Sequence, residues 1–429
     1  MTDRTGVGPA EEEARPAIGA RVAGLALDLT PLRRRPAFRR LWLGQAVSFI
    51  GTEIAFVAVS YQVYQLTGST LAVGLLALTH LVPLLTFTIV GGALADAIDR
   101  GRLMLVQQLG MIAGGLGLAV NAAVAHPRVW PIFAFEALTI SFYSLGVGAQ
   151  RALTPQLVPE REFVAASALN GTTSQLGAVV GPALAGVLIR YVDLSWIYIA
   201  NVVSFGGTLA AVLLLPRLGP AGESDRASVG SIAAGFRYLR TQPVILGFFL
   251  TDTNAMIFGM PLALFPAIAA HRFGDRSLVG YLYAAPAVGA LAVSLLSGPL
   301  RRLRRQGLGV IVGATLWGVA IVLFGFSRQL WLGLLLLGAA GAADQVSAVL
   351  RSAMLFSIVP NQLLGRLSGI EFMQVASAPS LGNFEAGALA SATSIRFSIV
   401  SGGLACVVGC VLLALAFPQL RHYESRVAA

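Results

Sequence analysis

The chain has 429 residues, of which 56% are hydrophobic and only 12% are charged, about half the charged fraction of an ordinary soluble domain. Such a composition excludes a water-soluble globular protein. All 30 basic residues are arginine, and they lie in small clusters between apolar runs. The net charge of +10 therefore forms no single basic face, and we expect no nucleic-acid partner.

Twelve apolar segments of the chain reach the length of about twenty residues that crosses a bilayer. Six lie in the first half: Leu41–Tyr64, Leu71–Leu94, Leu103–Val124, Trp130–Gln150, Ala165–Ile189 and Trp196–Leu215. Six lie in the second half: Val244–Ala270, Val279–Leu296, Leu308–Phe326, Leu330–Leu350, Ile370–Ala392 and Phe397–Phe417. The sequence predicts an all-α integral membrane protein with twelve transmembrane helices.

The polar segments divide the chain into two six-helix halves. Residues 1–36 have the composition of a disordered cytoplasmic tail, and residues 419–429 form a second tail. Residues 37–216 and 244–418 hold six spans each, and residues 217–243 link them. Placing both termini in the cytoplasm leaves 24 of the 30 arginines inside, which the positive-inside rule favours.

A glycine pattern indicates that the two halves are copies. Gly74 and Gly92 recur as Gly280 and Gly298, both displaced by 206 residues. Parallel six-helix repeats are typical of transporters whose substrate site lies between the halves. Coincidental glycine spacing is the alternative.

A loop after the second span has the chemistry of a cytoplasmic gate. Gly92 and Asp96 end the span, and Arg100 and Arg102 follow. An acid beside small residues allows a neighbouring helix to approach, and arginines hold a loop against anionic headgroups. We expect the equivalent basic loop 301–305 to anchor the second half to headgroups.

The fifth span carries a run of small residues that predicts close helix packing. Gly177, Gly181 and Gly186 leave a groove on this helix, and Pro182 removes a backbone hydrogen bond and bends it. The run is a plausible rocking surface, although small-residue packing is common in membrane bundles.

From residue 37 to residue 417 the chain resembles the major facilitator superfamily, and within it the enterobactin- and macrolide-type exporters of drugs and siderophores. The loop from Gly92 to Arg102, the turn at 154–159 and the Gly177–Gly186 run carry the resemblance. It implies a transporter, not an enzyme, and outward, proton-coupled transport. It also implies that Asp96 contacts the inner end of the eleventh helix. Two positions depart from the family pattern: Ala97 follows Asp96 where a basic residue is usual, and Arg151 lies at the inner end of the fourth helix instead of within it.

Five carboxylates lie inside predicted spans, and no arginine lies at those depths: Glu53, Glu136, Asp252, Asp344 and Glu385. If all were ionised near the helix centres they would cost about 12 to 17 kcal/mol, so they must face a wet cavity or bind protons. We expect Glu53 and Asp252, both near the midplane, to lead proton coupling. Hydrogen bonding without any transported proton is the alternative.

Side chains at the same depth are candidates for a cavity that accepts varied amphiphilic substrates. They are Phe49, Tyr61, Asn254, Met256, Phe258 and Met260. Core or lipid-facing packing is the alternative for each.

The chain lacks the patterns of metal, nucleotide and nucleophile sites, so we expect no cofactor, no metal and no ATP. The predicted partners are a small-molecule substrate, protons and the lipid bilayer, for a monomer in the inner or plasma membrane. Two other functions stay open: an inward nutrient symporter of the same fold, and a lipid scramblase or membrane sensor.

Overall fold

The computed structural model describes residues 28–215, 229–296, 298, 300 and 303–425, with the backbone alone for residues 96, 151, 152, 229–234 and 361. These residues are almost entirely helical. The first 27 residues of the predicted N-terminal tail and residues 217–228 of the predicted linker lie outside this part of the chain.

Twelve long helical segments follow one another in the described residues. The first six are α1 (Pro36–Thr67), α2 (Thr70–Ala97), α3 (Arg100–Ala123), α4 (Val129–Leu157), α5 (Glu160–Tyr191) and α6 (Leu194–Leu213). The second six are α7 (Pro243–Phe258, continued by Phe265–His271), α8 (Val279–Leu295), α9 (Gln306–Phe326), α10 (Leu330–Ile358), α11 (Asn361–Ala392) and α12 (Ile395–Ala416). Short helices lie at Thr30–Arg34, Val229–Thr241 and Pro418–Arg421.

Eleven of these segments are long and apolar enough to cross a membrane. This confirms the predicted all-α membrane fold, but not the predicted count of twelve spans. The remaining segment, α11, has 32 residues but carries several polar and acidic side chains. Several helices also extend past the apolar runs that predicted them, because backbone hydrogen bonding continues where hydropathy falls. The expectation that no arginine lies among the buried acids is wrong for this reason: α10 runs on to Ile358 and includes the buried Arg351.

Helix α7 is interrupted after Phe258, within a span that the sequence predicts as continuous. The segment that follows contains Pro261 and a single 3-10 turn. Its backbone groups are satisfied by other helices: Trp317 donates to the Gly259 carbonyl at 2.8 Å, and the Ala263 amide donates to Asn383 at 2.8 Å. The break is therefore a packed element with buried hydrogen bonds.

The two halves touch through two equivalent helix crossings. In one, Gly74 of α2 meets Gly387 of α11, and the Thr70 hydroxyl donates to the Gly387 carbonyl at 3.0 Å. In the other, Gly280 of α8 meets Gly186 of α5, where a methyl group on Gly186 would lie 3.2 Å from the Gly280 Cα. The glycines Gly74 and Gly280, paired by the sequence repeat, therefore occupy matching positions in the two crossings.

Both crossings lie at the same end of the bundle, which we call the opposite face. The other end, the terminal face, carries both ends of the described chain, because α1 starts there and α12 returns to it. At the opposite face Tyr64 and His271 hydrogen bond at 2.9 Å, and Arg190 lies 3.1 Å from Asp275. The halves are thus closed against each other at the opposite face.

Candidate functional site: cavities between the two halves

A central cavity of about 290 Å³ lies between the halves. Helices α1, α2 and α4 of the first half supply Thr52, Phe56, His80 and Glu136, among others. Helices α8 and α11 of the second half supply Tyr283, Pro379, Ser380 and Asn383, among others. Aromatic rings, hydroxyls, amides and one acid therefore converge on a space bounded by both halves.

The central cavity contains a paired base and acid. His80 Nε2 lies 3.2 Å from Glu136 Oε2, joining α2 to α4, and the two side chains are 16% and 11% exposed. Both residues lie inside predicted spans, but nothing in their spacing pairs them. The pair places a histidine and a carboxylate at the wall of the central cavity.

A second buried cluster lies within the C-terminal half and centres on Asp252. Arg351 Nη1 lies 2.6 Å from Asp252 Oδ1, and the Gln374 amide donates to Asp252 Oδ2 at 3.1 Å. Arg351 also donates to the Ser347 hydroxyl at 3.0 Å. The cluster ties α7, α10 and α11 together.

Two further carboxylates, Asp344 and Glu371, are close enough to interact electrostatically with Arg351. With Asp252 they make three acids around one arginine. If all three were ionised, the acids would outnumber the single guanidinium by two charges in this largely buried cluster.

The remaining predicted acids lie apart from these two groups. Glu53 is partly buried on α1, and its Cβ packs against Gly181 of α5. Glu385 is partly buried near the opposite-face end of α11, close to Gly387. The five acids are therefore spread over several environments.

A third polar region, a cavity of about 320 Å³, lies nearer the terminal face. Its walls come from α1, α4, α5 and α11 and include Trp42, Gln45, Phe49, Asn170 and Phe372. This cavity therefore lies on the terminal-face side of the central cavity.

The predicted gate residues lie at the end of α2 and the start of α3. Gly92 packs near Gly148 of α4, and Asp99 caps α3 by accepting from the Arg102 amide at 2.9 Å. Arg102 is exposed, whereas Arg100 is only 7% exposed, so Arg100 packs inside the bundle instead of reaching for headgroups. Asp96 lies in the last turn of α2, and its side chain is outside the described part of the chain.

The small-residue run of α5 packs against two different helices. The Phe49 ring of α1 lies over Gly177, and Glu53 and the Ile50 carbonyl lie over Gly181. Gly186, one turn beyond Pro182, contacts α8 of the other half. The run therefore joins a contact within the first half to a contact between the halves.

The six predicted cavity side chains have different surroundings. Phe49 lines the cavity near the terminal face, Tyr61 and Met260 pack against the largest apolar core, and Phe258 is 38% exposed. Asn254 donates to the Cys406 carbonyl at 2.9 Å, and the Met256 carbonyl lies beside Gly382. Three residues that line the central cavity were not predicted to do so: His80, Phe56 and Tyr283. Each lies in an apolar stretch of a different helix, so the sequence does not indicate that they meet at one cavity.

A helical bundle in two matched halves around polar cavities is the architecture of a membrane transporter. Residues 26–428 match the family described as transmembrane secretion effector, and the chain belongs to this family of the major facilitator superfamily. It is 31% identical to the enterobactin exporter EntS of Escherichia coli over 398 residues, which are 93% of this chain and 96% of that protein. The enterobactin exporter EntS of Shigella dysenteriae serotype 1 is similar to the same extent, 31% over 398 residues, with 93% and 96% coverage.

Solved structures share the fold at much lower sequence identity. A bacterial homologue of the human lysosomal transporter Spinster, in an inward-facing and unoccupied conformation, has a TM-score of 0.71 at 15% identity, covering 90% of this chain and 98% of that one. The nucleoside transporter NupG has a TM-score of 0.67 at 13% identity, covering 90% and 99%. At these identities the likeness establishes the fold alone.

Proposed function

We propose that this protein exports a small amphiphilic, siderophore-like compound across the cell membrane by alternating access. The observation that carries the proposal is the central cavity between the halves, where His80 and Glu136 face aromatic and hydroxyl side chains. The names of the enterobactin exporters that the chain resembles at 31% identity support the direction and the class of substrate.

The cavity chemistry suits a substrate that combines rings with hydroxyl or amide groups. Phe56 and Tyr283 offer aromatic surface, and Ser380 and Asn383 offer hydrogen-bonding groups. A few fixed polar groups in an otherwise apolar pocket orient a ligand while the apolar surface supplies affinity. Such a pocket also accepts related drugs, which would give multidrug resistance as a secondary property.

For the membrane topology, we propose twelve spans with both termini in the cytoplasm and a monomeric protein. Helix α11 is taken as a span because it packs along α2 and connects α10 to α12. The 24 inner arginines support the orientation. The terminal face is then cytoplasmic, and closure at the opposite face corresponds to an inward-open state.

Proton antiport is assigned first to the His80–Glu136 pair. It borders the cavity, so a substrate that hydrogen bonds to Glu136 competes with His80 and with a bound proton for the same oxygens. Asp252 is held by Arg351 and Gln374, and we assign it to positioning α7, α10 and α11. Glu53, beside the small-residue run of α5, is the second coupling candidate.

Export is tested in an Escherichia coli strain that lacks its own enterobactin exporter. Expression of this chain is expected to restore enterobactin in the medium under iron limitation. Internal accumulation with no release, together with improved growth on a supplied nutrient, would instead indicate inward symport.

Coupling is tested in everted vesicles with a pH gradient of defined sign. The His80→Gln and Glu136→Gln variants are expected to lose at least ten-fold of gradient-driven uptake, within the range that positioned acid–base groups contribute. Glu162→Gln is the matched control, because Glu162 pairs with Arg35 at 3.0 Å on the terminal face, away from the cavity.

Full gradient-driven uptake in both cavity variants would overturn the assignment to this pair. Gradient-independent movement of fluorescent phospholipid, with no substrate uptake, would favour a scramblase.

A further inference from the structure

A groove of about 600 Å³ lies on the outer surface of the C-terminal half, between α9 and α10 at the terminal face. Its walls are apolar, and its side chains include Leu308, Val312, Leu316 and Val346. Val312 and Leu316 are 46% and 52% exposed, so they face the surroundings of the bundle and not its core.

The floor of the groove depends on glycines of α9. A methyl group on Gly309 would lie 2.5 Å from Leu350 Cδ1, and one on Gly313 would lie 2.8 Å from the Ala343 carbonyl oxygen. These glycines bring α9 against α10 and leave the adjacent surface without side chains of its own. The hollow is therefore built into the sequence of α9.

Two arginines, Arg304 and Arg305, stand at the terminal-face end of the groove and belong to its lining. The C-terminal segment holds them in place: the Ser425 amide donates to the Arg304 carbonyl at 2.8 Å, and Arg305 Nε lies 3.4 Å from Glu424 Oε1. Arg305 remains 71% exposed, so its guanidinium is accessible from the lipid headgroup level.

We propose that this groove binds one anionic phospholipid, with the phosphate at Arg304 and Arg305 and an acyl chain along Leu308–Leu316. The eight helical rises from Leu308 to Leu316 span about 12 Å, most of the roughly 15 Å that one leaflet contributes to the hydrocarbon core. Arginine favours phosphate through paired hydrogen bonds. Glu424 competes with the phosphate for Arg305, so it limits the affinity.

A neighbouring groove gives an internal comparison. It has a volume of about 530 Å³, lies between α5, α8 and α10, and is lined by apolar side chains together with Tyr281. None of the described residues that line it is charged. It can accept an acyl chain, but these residues offer no cation for a phosphate.

The test counts phosphatidylglycerol bound to the purified full-length protein by native mass spectrometry, with phosphatidylcholine of the same chains as the zwitterionic probe. Removing both arginines (Arg304→Ala with Arg305→Ala) is expected to weaken phosphatidylglycerol binding about five-fold per arginine, which corresponds to about 1 kcal/mol each. Glu424→Gln is expected to strengthen it. Arg421→Ala, at an exposed arginine outside the groove lining, is the charge control.

The apolar part of the site is tested separately by filling it. Val312→Trp is expected to abolish the tightest phosphatidylglycerol binding with both arginines intact, while Val288→Trp in the neighbouring groove leaves it unchanged. If Arg421→Ala and the double variant lost the same amount of phosphatidylglycerol binding, the lipid would be attracted by surface charge in general, and the proposal would be overturned. Unchanged binding in Val312→Trp would overturn it as well. Neither measurement depends on transport, so this proposal can fail independently of the proposed export.

Discussion

Replacing Arg351 with Gln should destabilise the C-terminal half more than any change at an exposed ion pair. The substitution removes the guanidinium that lies 2.6 Å from Asp252 and leaves the Gln374 amide as the remaining donor described for that carboxylate. The side chains of Arg351 and Asp252 are only 7% and 4% exposed. A buried charge without its partner costs about 3–5 kcal/mol.

The free energy of protonating Asp252 sets an upper limit on the destabilisation caused by Arg351→Gln. Neutralising a carboxyl group whose pKa in water is about 3.9 costs about 4 kcal/mol at pH 7 and about 1.5 kcal/mol at pH 5. The expected destabilisation of Arg351→Gln is therefore about 3–4 kcal/mol at pH 7 and falls below about 2 kcal/mol at pH 5. The double variant Asp252→Asn with Arg351→Gln removes the contacted carboxylate together with its cation and should lose less than the single variant.

The assay is reversible unfolding in mixed detergent and SDS micelles at both pH values. Arg305→Gln is the control, because Arg305 and its partner Glu424 are 71% and 52% exposed and such pairs contribute about 0–1 kcal/mol. A loss below about 1 kcal/mol for Arg351→Gln at pH 7 would refute the reasoning. So would a loss that is the same at pH 5 and pH 7.

Three further changes test other contacts. Gly186→Leu should drive a side chain into Gly280 across the halves, costing about 1–3 kcal/mol and shifting the protein away from the closed opposite face, as crosslinking across that face would report. Hydrogen bonds from Ser277, and to a lesser extent the charge of Arg190, hold the pKa of Asp275 below its usual value. The ionised Asp275 therefore stabilises the folded protein at pH values above its unfolded pKa, and this stabilisation is lost as the pH falls through its lower folded pKa. The small stability difference between wild type and Asp275→Asn, at most about 1 kcal/mol, should accordingly begin to fall near pH 4 and vanish only below the lower folded pKa, in thermal unfolding measured against pH. Asn383→Leu removes the acceptor at the break in α7 and should cost about 1–3 kcal/mol in the same measurement.

Hydropathy and length were sufficient to predict most of the helices, because lipid requires each span to satisfy its own backbone. The repeat of Gly74 and Gly280 was also visible, and the structure places both glycines in crossings between the halves. What the sequence could not supply was which side chains meet across helices. His80 and Glu136 lie on different helices, 56 positions apart in the numbering, so only the packing of α2 against α4 brings them together.

Two features were missed for local reasons. Arg351 ended the predicted tenth span because a charge lowers hydropathy, yet the helix continues and its partner Asp252 comes from α7. The break in α7 was hidden inside an apolar run, although Gly259 and Pro261 are a sequence signal for a helix end. In both cases tertiary partners satisfy groups that the sequence alone leaves unpaired.

The two glycine crossings also determine what must change for the halves to part. At Gly74 and Gly186 peptide backbone meets peptide backbone, and those peptide groups are already hydrogen bonded within their own helices. These close contacts between backbones involve no side-chain rotamers, and the Thr70 hydroxyl adds one hydrogen bond across the first crossing. Under the proposed alternating access, the polar links at this face, such as Thr70 with Gly387 and Tyr64 with His271, are hydrogen bonds that must break before the halves part.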